Sequence, residues 1–138
     1  MKILIFGLPG SGKTYLAERL QKHLDCAWYN ADKIREMAND WEFTDLARFR
    51  QVNRMAALAD TEATFDRTVI CDFVCPTNML RTVFNADITI WMNTISEGRF
   101  EDTNKVFEVP GYSDIVIDKF LTDDEIVSVV NKIAGVHV

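Results

Sequence analysis

Only six glycines and three prolines occur in the 138 residues. Neither forms a linker-like tract, which excludes a repetitive or flexible-linker chain and leaves no composition break at which to divide it. The expectation is a single domain over residues 1–138, long enough to bury one core. Cysteine is scarce too, with Cys26, Cys71 and Cys75 alone. An odd count in no metal-ligand spacing excludes a disulfide framework and points to reduced, buried thiols in a cytoplasmic protein. No apolar run approaches the roughly 20 residues of a membrane span, and the opening one is too short for a signal peptide. Positive charge is also in deficit, with 15 Lys and Arg against 21 Asp and Glu and a net charge of −6. That argues against nucleic acid as a partner, because phosphate backbones need Lys and Arg. A small anionic ligand in a locally positive loop is still compatible.

What the chain does contain is an alternation of strand and helix signals. "KILIFG", "CAWYN", "RTVICDF", "ADITIWMN" and "DIVID" read as five short strands. Helical spacing begins at Lys13 (Tyr15, Leu16, Leu20, Leu24), covers Ala31 to Ala38, and returns over residues 45 to 65 (Leu46, Phe49, Val52, Ala56, Ala59, Ala63). A last helix opens at Thr122, where Thr-Asp-Asp-Glu makes a capping box. Residues 94 to 111 are polar and aperiodic and read as a long, lid-like loop. The fold expected is α/β with three layers: a five-stranded, mainly parallel sheet with helices on both faces. The strand leading to Asp32 should lie at an edge beside the one ending in Asp72. His23 and His137 read as surface residues, and Trp28, Trp41 and Trp91 as packing residues, Trp41 close enough to Phe43 to border a pocket.

Three of the six glycines fall in "GLPGSGKT", residues 7 to 14, directly behind the first strand. The stretch matches G-x-x-x-x-G-K-[ST] at Gly7, Gly12, Lys13 and Thr14. In such a loop Gly7, Pro9, Gly10, Ser11, Gly12, Lys13, Thr14 and Tyr15 wrap a nucleotide's phosphates with backbone N–H groups and a helix N-terminus. Lys13 reaches the terminal phosphates and Thr14 ligates Mg²⁺. ATP and Mg²⁺ are the cofactors this implies. No N-K-x-D guanine signature is present, and the chain is short for a motor ATPase. A short chain with a helical middle and a polar loop before the last strand suits a small-molecule kinase.

The second strand runs into "NADKIR". Asp32 there would stand at the carboxyl edge of the sheet, ready to accept a proton from an acceptor hydroxyl or to hold Mg²⁺ through water. Arg35, one turn on, could clamp an anionic acceptor. Asp72 at the end of the third strand is the second acid that could organise Mg²⁺. Plainer alternatives stay open for each: a helix-start acid, a solvated arginine, and a solvated strand-end acid.

"GLPGSGKT", "NADKIR", "WEFTDLARFRQVNR" and "VICDFVCP" together resemble the adenylylsulfate kinase family, which phosphorylates the 3′-hydroxyl of adenosine 5′-phosphosulfate with MgATP. The resemblance implies that Asp32 is the catalytic aspartate and that Arg35 and Arg48 bind the acceptor. It implies that Phe43 stacks on it, with Gln51, Phe73 and Cys75 alongside. "RFEDTNKVFEVP" has the spacing of the family's lid, which brings in Phe100, with Arg99 beside it as a catalytic cation. Asn30, Gln51, Cys75 and Glu101 depart from the family's usual residues, and the lid's basic stretch is reduced to Arg99 and Lys105. The partners expected are MgATP and a small-molecule acceptor, with no membrane, and a homodimer stays open. Two other readings also stay open: a kinase of another acceptor (nucleotide, sugar acid or polynucleotide end), and a non-catalytic ATP-binding regulator.

Overall fold

The computed structural model describes residues 1–136, so His137 lies outside the described residues. Five strands are present among them: β1 (Lys2–Phe6), β2 (Ala27–Asn30), β3 (Val69–Phe73), β4 (Ile88–Met92) and β5 (Ile115–Ile117). All pair in parallel, in the order β2-β3-β1-β4-β5. The helices are α1 (Lys13–Leu24), α2 (Ala31–Ala38), α3 (Asp45–Thr64), α4 (Asn78–Phe84), α5 (Glu101–Val106) and α6 (Asp123–Val136). This is the three-layer α/β arrangement expected, with β2 at the edge beside β3.

The order explains the continuous apolar character of β1. It sits at the centre of the sheet, so both faces must be covered. Ile3 and Ile5 face α1 and α6 in a cluster with Leu16, Leu20, Ile90 and Ile126. Leu4 and Phe6 face α3 and α4 in a second cluster with Val52, Met55, Cys71 and Phe84. Because all strands are parallel, the loops after β1, β3 and β4 emerge at one edge. β1 lies between β3 and β4, and the chain's path leaves a crevice there.

Some local expectations need correction. Leu46 and Phe49 are exposed, and the buried line of α3 runs instead through Ala47, Gln51, Val52, Met55 and Ala59. The helical period holds, but phasing it on the largest side chains misplaces the first turn of α3, which packs through a small one. Tyr15 is likewise exposed, although Leu16 and Leu20 are core. Trp41 is half exposed rather than packed. A helix not expected from the sequence is α4, whose Thr77 hydroxyl accepts from the Leu80 amide at 3.2 Å and whose Asn85 closes it in the left-handed conformation. Within the polar stretch 94 to 111 lies α5, a six-residue helix with Glu101 and Asp102 in its first turn and Thr103 its buried residue. One buried position gives no readable period. The Thr122 capping box is present: the Glu125 carboxylate accepts from the Thr122 amide at 3.2 Å. The three cysteines are free and buried, as expected.

Ile5 is fully buried between Asp72 of β3 and Ile90 of β4. Ile5→Ala should destabilise the protein by about 2–5 kcal/mol, through lost transfer energy plus the cavity left behind. Urea unfolding followed by circular dichroism reads this directly.

Candidate active site

The loop after β1 is shaped by two glycine positions. A Cβ on Gly7 would lie 2.7 Å from the Met92 carbonyl oxygen, so β1 can approach the end of β4 only without one. Gly12 caps α1 at φ 96, a conformation costly for any residue with a side chain. Between them Ser11 is fully buried, and its hydroxyl has no hydrogen-bond partner among the described residues. The Ser11 carbonyl accepts from Thr94 Oγ1 at 2.7 Å, which ties the loop to the segment after β4. Lys13 folds back across the loop and donates Nζ–H to the Leu8 carbonyl at 2.9 Å. Burial lowers its ammonium to about 8, against the opposing pull of Asp72 and Asp32, and Arg99 lowers it further.

Beside Thr14 stands Asp72, 2% exposed and therefore not a solvated strand-end acid. Trp28 and Asn30, two residues apart on β2 and so on one face, grip both of its oxygens. Trp28 Nε1 donates to Oδ2 at 2.6 Å and Asn30 Nδ2 to Oδ1 at 3.0 Å. Burial raises the Asp72 carboxyl, while Trp28, Lys13 and Asn30 hold it down and Asp32 adds to the rise. The same Asn30 amide donates to Thr14 Oγ1 at 3.2 Å. Two oxygens expected to meet a metal thus converge on one donor atom. Asn30 also caps α2, its Oδ1 accepting from the Lys33 amide at 3.1 Å. Sequence reasoning takes Trp28 for a packing residue and Asn30 only for a substitution. The two-residue spacing on a strand running beside Asp72 is the available signal.

A cleft of about 540 Å³ opens from this point. It brings together Pro9, Gly10, Gly12, Lys13, Thr14, Tyr15, Asp32, Asp72 and Arg99 with Arg35, Phe43, Arg48, Gln51, Phe73, Cys75 and Phe100. Gly7 and Ser11 do not line it; they lie behind the loop and set its shape. Arg35 is buried, Nη1 donating to the Asp40 carbonyl at 2.9 Å and the Glu42 carbonyl at 3.0 Å, with its guanidinium 4.5 Å from the centre of the Phe43 ring. Its remaining N–H groups have no acceptor among the described residues. Gln51 donates to the Ala31 carbonyl at 3.0 Å and accepts from Arg54 at 3.0 Å. It therefore supports the start of α2, where Asp32 sits.

Behind these residues the Asp40 carboxylate is chelated by Arg50 (2.9 and 3.1 Å) and bonded by Arg54 (2.8 Å), which holds its carboxyl far below the usual range. Cys75 is buried at φ 44, its carbonyl accepting from Arg81 Nε at 3.0 Å. Arg81 also holds the Pro76 and Glu108 carbonyls, at 3.1 and 2.7 Å. Sequence reasoning misses Arg81 because a buried arginine on a short helix has no pattern of its own; it joins the strand-end loop after β3 to the far end of the lid.

The model of the adenylylsulphate kinase family matches residues 1–96, well over half of the chain. The chain belongs to that family. No curated protein matches its sequence. Among solved structures, the Mycobacterium tuberculosis APS kinase bound to AMPPNP and APS superposes at a TM-score of 0.83, with 17% identity and 96% of each chain covered. A Sinorhizobium meliloti gluconokinase aligns at 0.70 (14% identity; 99% of this chain and 91% of that one). The Aquifex aeolicus shikimate kinase aligns at 0.68 (14%; 98% and 97%). The family makes this chain a small-molecule kinase of the phosphate-loop class, hence a phosphotransferase. The matched span stops short of Arg99, Phe100 and α5. No helix among the described residues is long and apolar enough to cross a membrane.

The lowered Lys13 amine has a measurable consequence. With the folded-state group near 8 and the unfolded one near 10.5, the folded protein binds fewer protons between those values. This group therefore makes stability rise as pH goes from about 8 to about 10.5. Urea unfolding at pH 8 and pH 10 should show wild type gaining stability relative to Lys13→Met. Parallel pH slopes would contradict a depressed Lys13.

Proposed function

We propose that this protein transfers the γ-phosphoryl group of MgATP to an acceptor hydroxyl, and that the acceptor is a nucleotide of the adenosine 5′-phosphosulfate type. The observation that carries the reading is the continuity of one cleft. Its lining joins the phosphate loop to two aromatic rings (Phe43, Phe100), two arginines (Arg35, Arg48) and the Asp32 carboxylate. A planar base suits the rings, and an anionic tail suits the arginines.

In this reading the loop's N–H groups and Lys13 hold the β- and γ-phosphates. Thr14 and Asp72, whose oxygens share the Asn30 amide, would hold Mg²⁺, a small protein ligand set that suits a cation keeping most of its waters. When bound, the ion neutralises charge on the β- and γ-oxygens. Asp32 makes no side-chain hydrogen bond among the described residues and is free to orient the acceptor hydroxyl and take its proton. The acceptor oxygen bonds to the γ-phosphorus as the bond to the bridging oxygen breaks and ADP leaves. Arg99, the lid cation lining the cleft, stabilises charge on the transferring group. Little covalent help is needed, so positioning and charge dominate.

The reaction is tested with purified protein, MgATP and adenosine 5′-phosphosulfate, the 3′-phosphorylated product being separated by anion exchange. Gluconate, shikimate and adenosine serve as competing acceptors. Turnover of a competing acceptor alone would overturn the nucleotide assignment, and binding of MgATP with no turnover of any acceptor would favour a regulatory protein. Asp32→Asn should lower kcat about 10²–10⁴-fold with MgATP affinity little changed. A wild-type rate would remove Asp32 from the mechanism. Lys13→Met should weaken MgATP binding by about 2 kcal/mol in calorimetry, roughly thirtyfold.

A further inference from the structure

The segment that follows β4 lies along the phosphate loop rather than away from it. Thr94 is bonded to the Ser11 carbonyl at 2.7 Å, and Ile95 Cδ1 lies 3.9 Å from where a Cβ on Gly10 would be. Gly98 sits so close to Pro9 that a Cβ there would meet both Pro9 Cδ and the Pro9 carbonyl oxygen at 3.2 Å. From α5 the side chain of Asn104 reaches back and takes both backbone groups of Gly98. Gly98 N–H donates to Asn104 Oδ1 at 2.7 Å, and Asn104 Nδ2 donates to the Gly98 carbonyl at 3.0 Å. The far end is fixed as well, Glu108 N–H donating to the Pro76 carbonyl at 2.7 Å while Arg81 holds the Glu108 carbonyl.

The two bonds from one side-chain amide close a short loop whose residues include Arg99 and Phe100, both lining the cleft. Arg99 itself has no hydrogen-bond or ion-pair partner among the described residues, and its guanidinium lies 5.7 Å from the Phe100 ring centre. Apart from the ring of its own neighbour, nothing that binds Arg99 directly accounts for its place. What fixes it is the backbone of its neighbour. We infer that Asn104 is a positioning residue: by stapling Gly98 against Pro9 it presents Arg99 to the phosphate loop before any nucleotide arrives. A cation held in place loses less freedom on binding, so a lid with a single arginine over the cleft can still act on phosphates. The inference rests on the reading of the cleft as a nucleotide site, but the staple itself does not.

Asn104→Ala removes the staple at a half-buried surface position, so the fold should survive, as thermal unfolding would verify. Trypsin cleavage at the Arg99–Phe100 bond, followed by mass spectrometry without nucleotide, should be at least about tenfold faster than in wild type, because cleavage needs local opening. MgATP affinity by calorimetry should fall about fivefold in Asn104→Ala, and this loss should vanish in the Arg99→Met background, since one residue acts through the other. Equal cleavage rates in wild type and Asn104→Ala would overturn the staple. An equal loss of affinity with and without Arg99 would overturn the action through Arg99. Failure of wild type to bind MgATP would instead strike the nucleotide reading, while the cleavage comparison still decides the staple.

Discussion

A carboxylate buried at the end of β3, with one oxygen held by an indole and the other by an amide, is the constraint around which the rest of the site is arranged. Burying Asp72 is costly, and Trp28, Asn30 and Lys13 offset the cost. Two of those three come from β2. The edge strand must therefore lie parallel to β3 and in the register that sets Asn30 opposite Asp72. A slip of one residue would turn both grips to the other face of the sheet. The chain leaves β2 through Asn30 directly into α2, so the same amide that bonds Asp72 and Thr14 also starts the helix bearing Asp32 and Arg35. Phosphate loop, candidate metal ligands and the α2 side of the cleft share one side chain.

The wall of the cleft formed by Arg35 and Phe43 is held for a different reason. Arg35 holds two backbone carbonyls through Nη1 alone and covers a ring face, and the segment it holds is anchored by the Asp40 carboxylate between Arg50 and Arg54. None of Asp40, Arg50 and Arg54 lines the cleft. They fix the parts that do. The lid side is fixed by backbone contacts instead, with Thr94 and Gly98 against the phosphate loop and Glu108 against Arg81. An acidic protein thus keeps two arginines unpaired among the described residues, Arg48 and Arg99, for the cleft.

Much of this is legible in the sequence. The glycine loop, the five strands and the residues of "NADKIR" announce themselves by pattern and place, those of "FTDLARFRQ" and "FVCP" only by resemblance to the family, and the structure gathers residues from all four stretches around one cleft. Periodicity fails where packing is done by small or few residues, as at Ala47 in the first turn of α3 and Thr103 in α5. It also cannot separate residues that line a site from residues that shape it: Gly7 and Ser11 belong to the motif yet sit behind it. Trp28, Arg81 and Asn104 are invisible for a further reason. Their roles depend on partners 44, 27 and 6 residues away, and single-sequence patterns report only near neighbours along one element.

In the proposed reaction the buried Asp72 serves a divalent cation brought in with ATP. Calorimetric titration of ATP into wild type and Asp72→Asn, each with Mg²⁺ and with EDTA, tests it most directly. Mg²⁺ should strengthen ATP binding to wild type, and Asp72→Asn should lose most of that gain while keeping its Mg²⁺-free affinity. If Asp72→Asn retains the full Mg²⁺ dependence, Asp72 is only a structural acid and the arrangement described around it has no part in phosphoryl transfer.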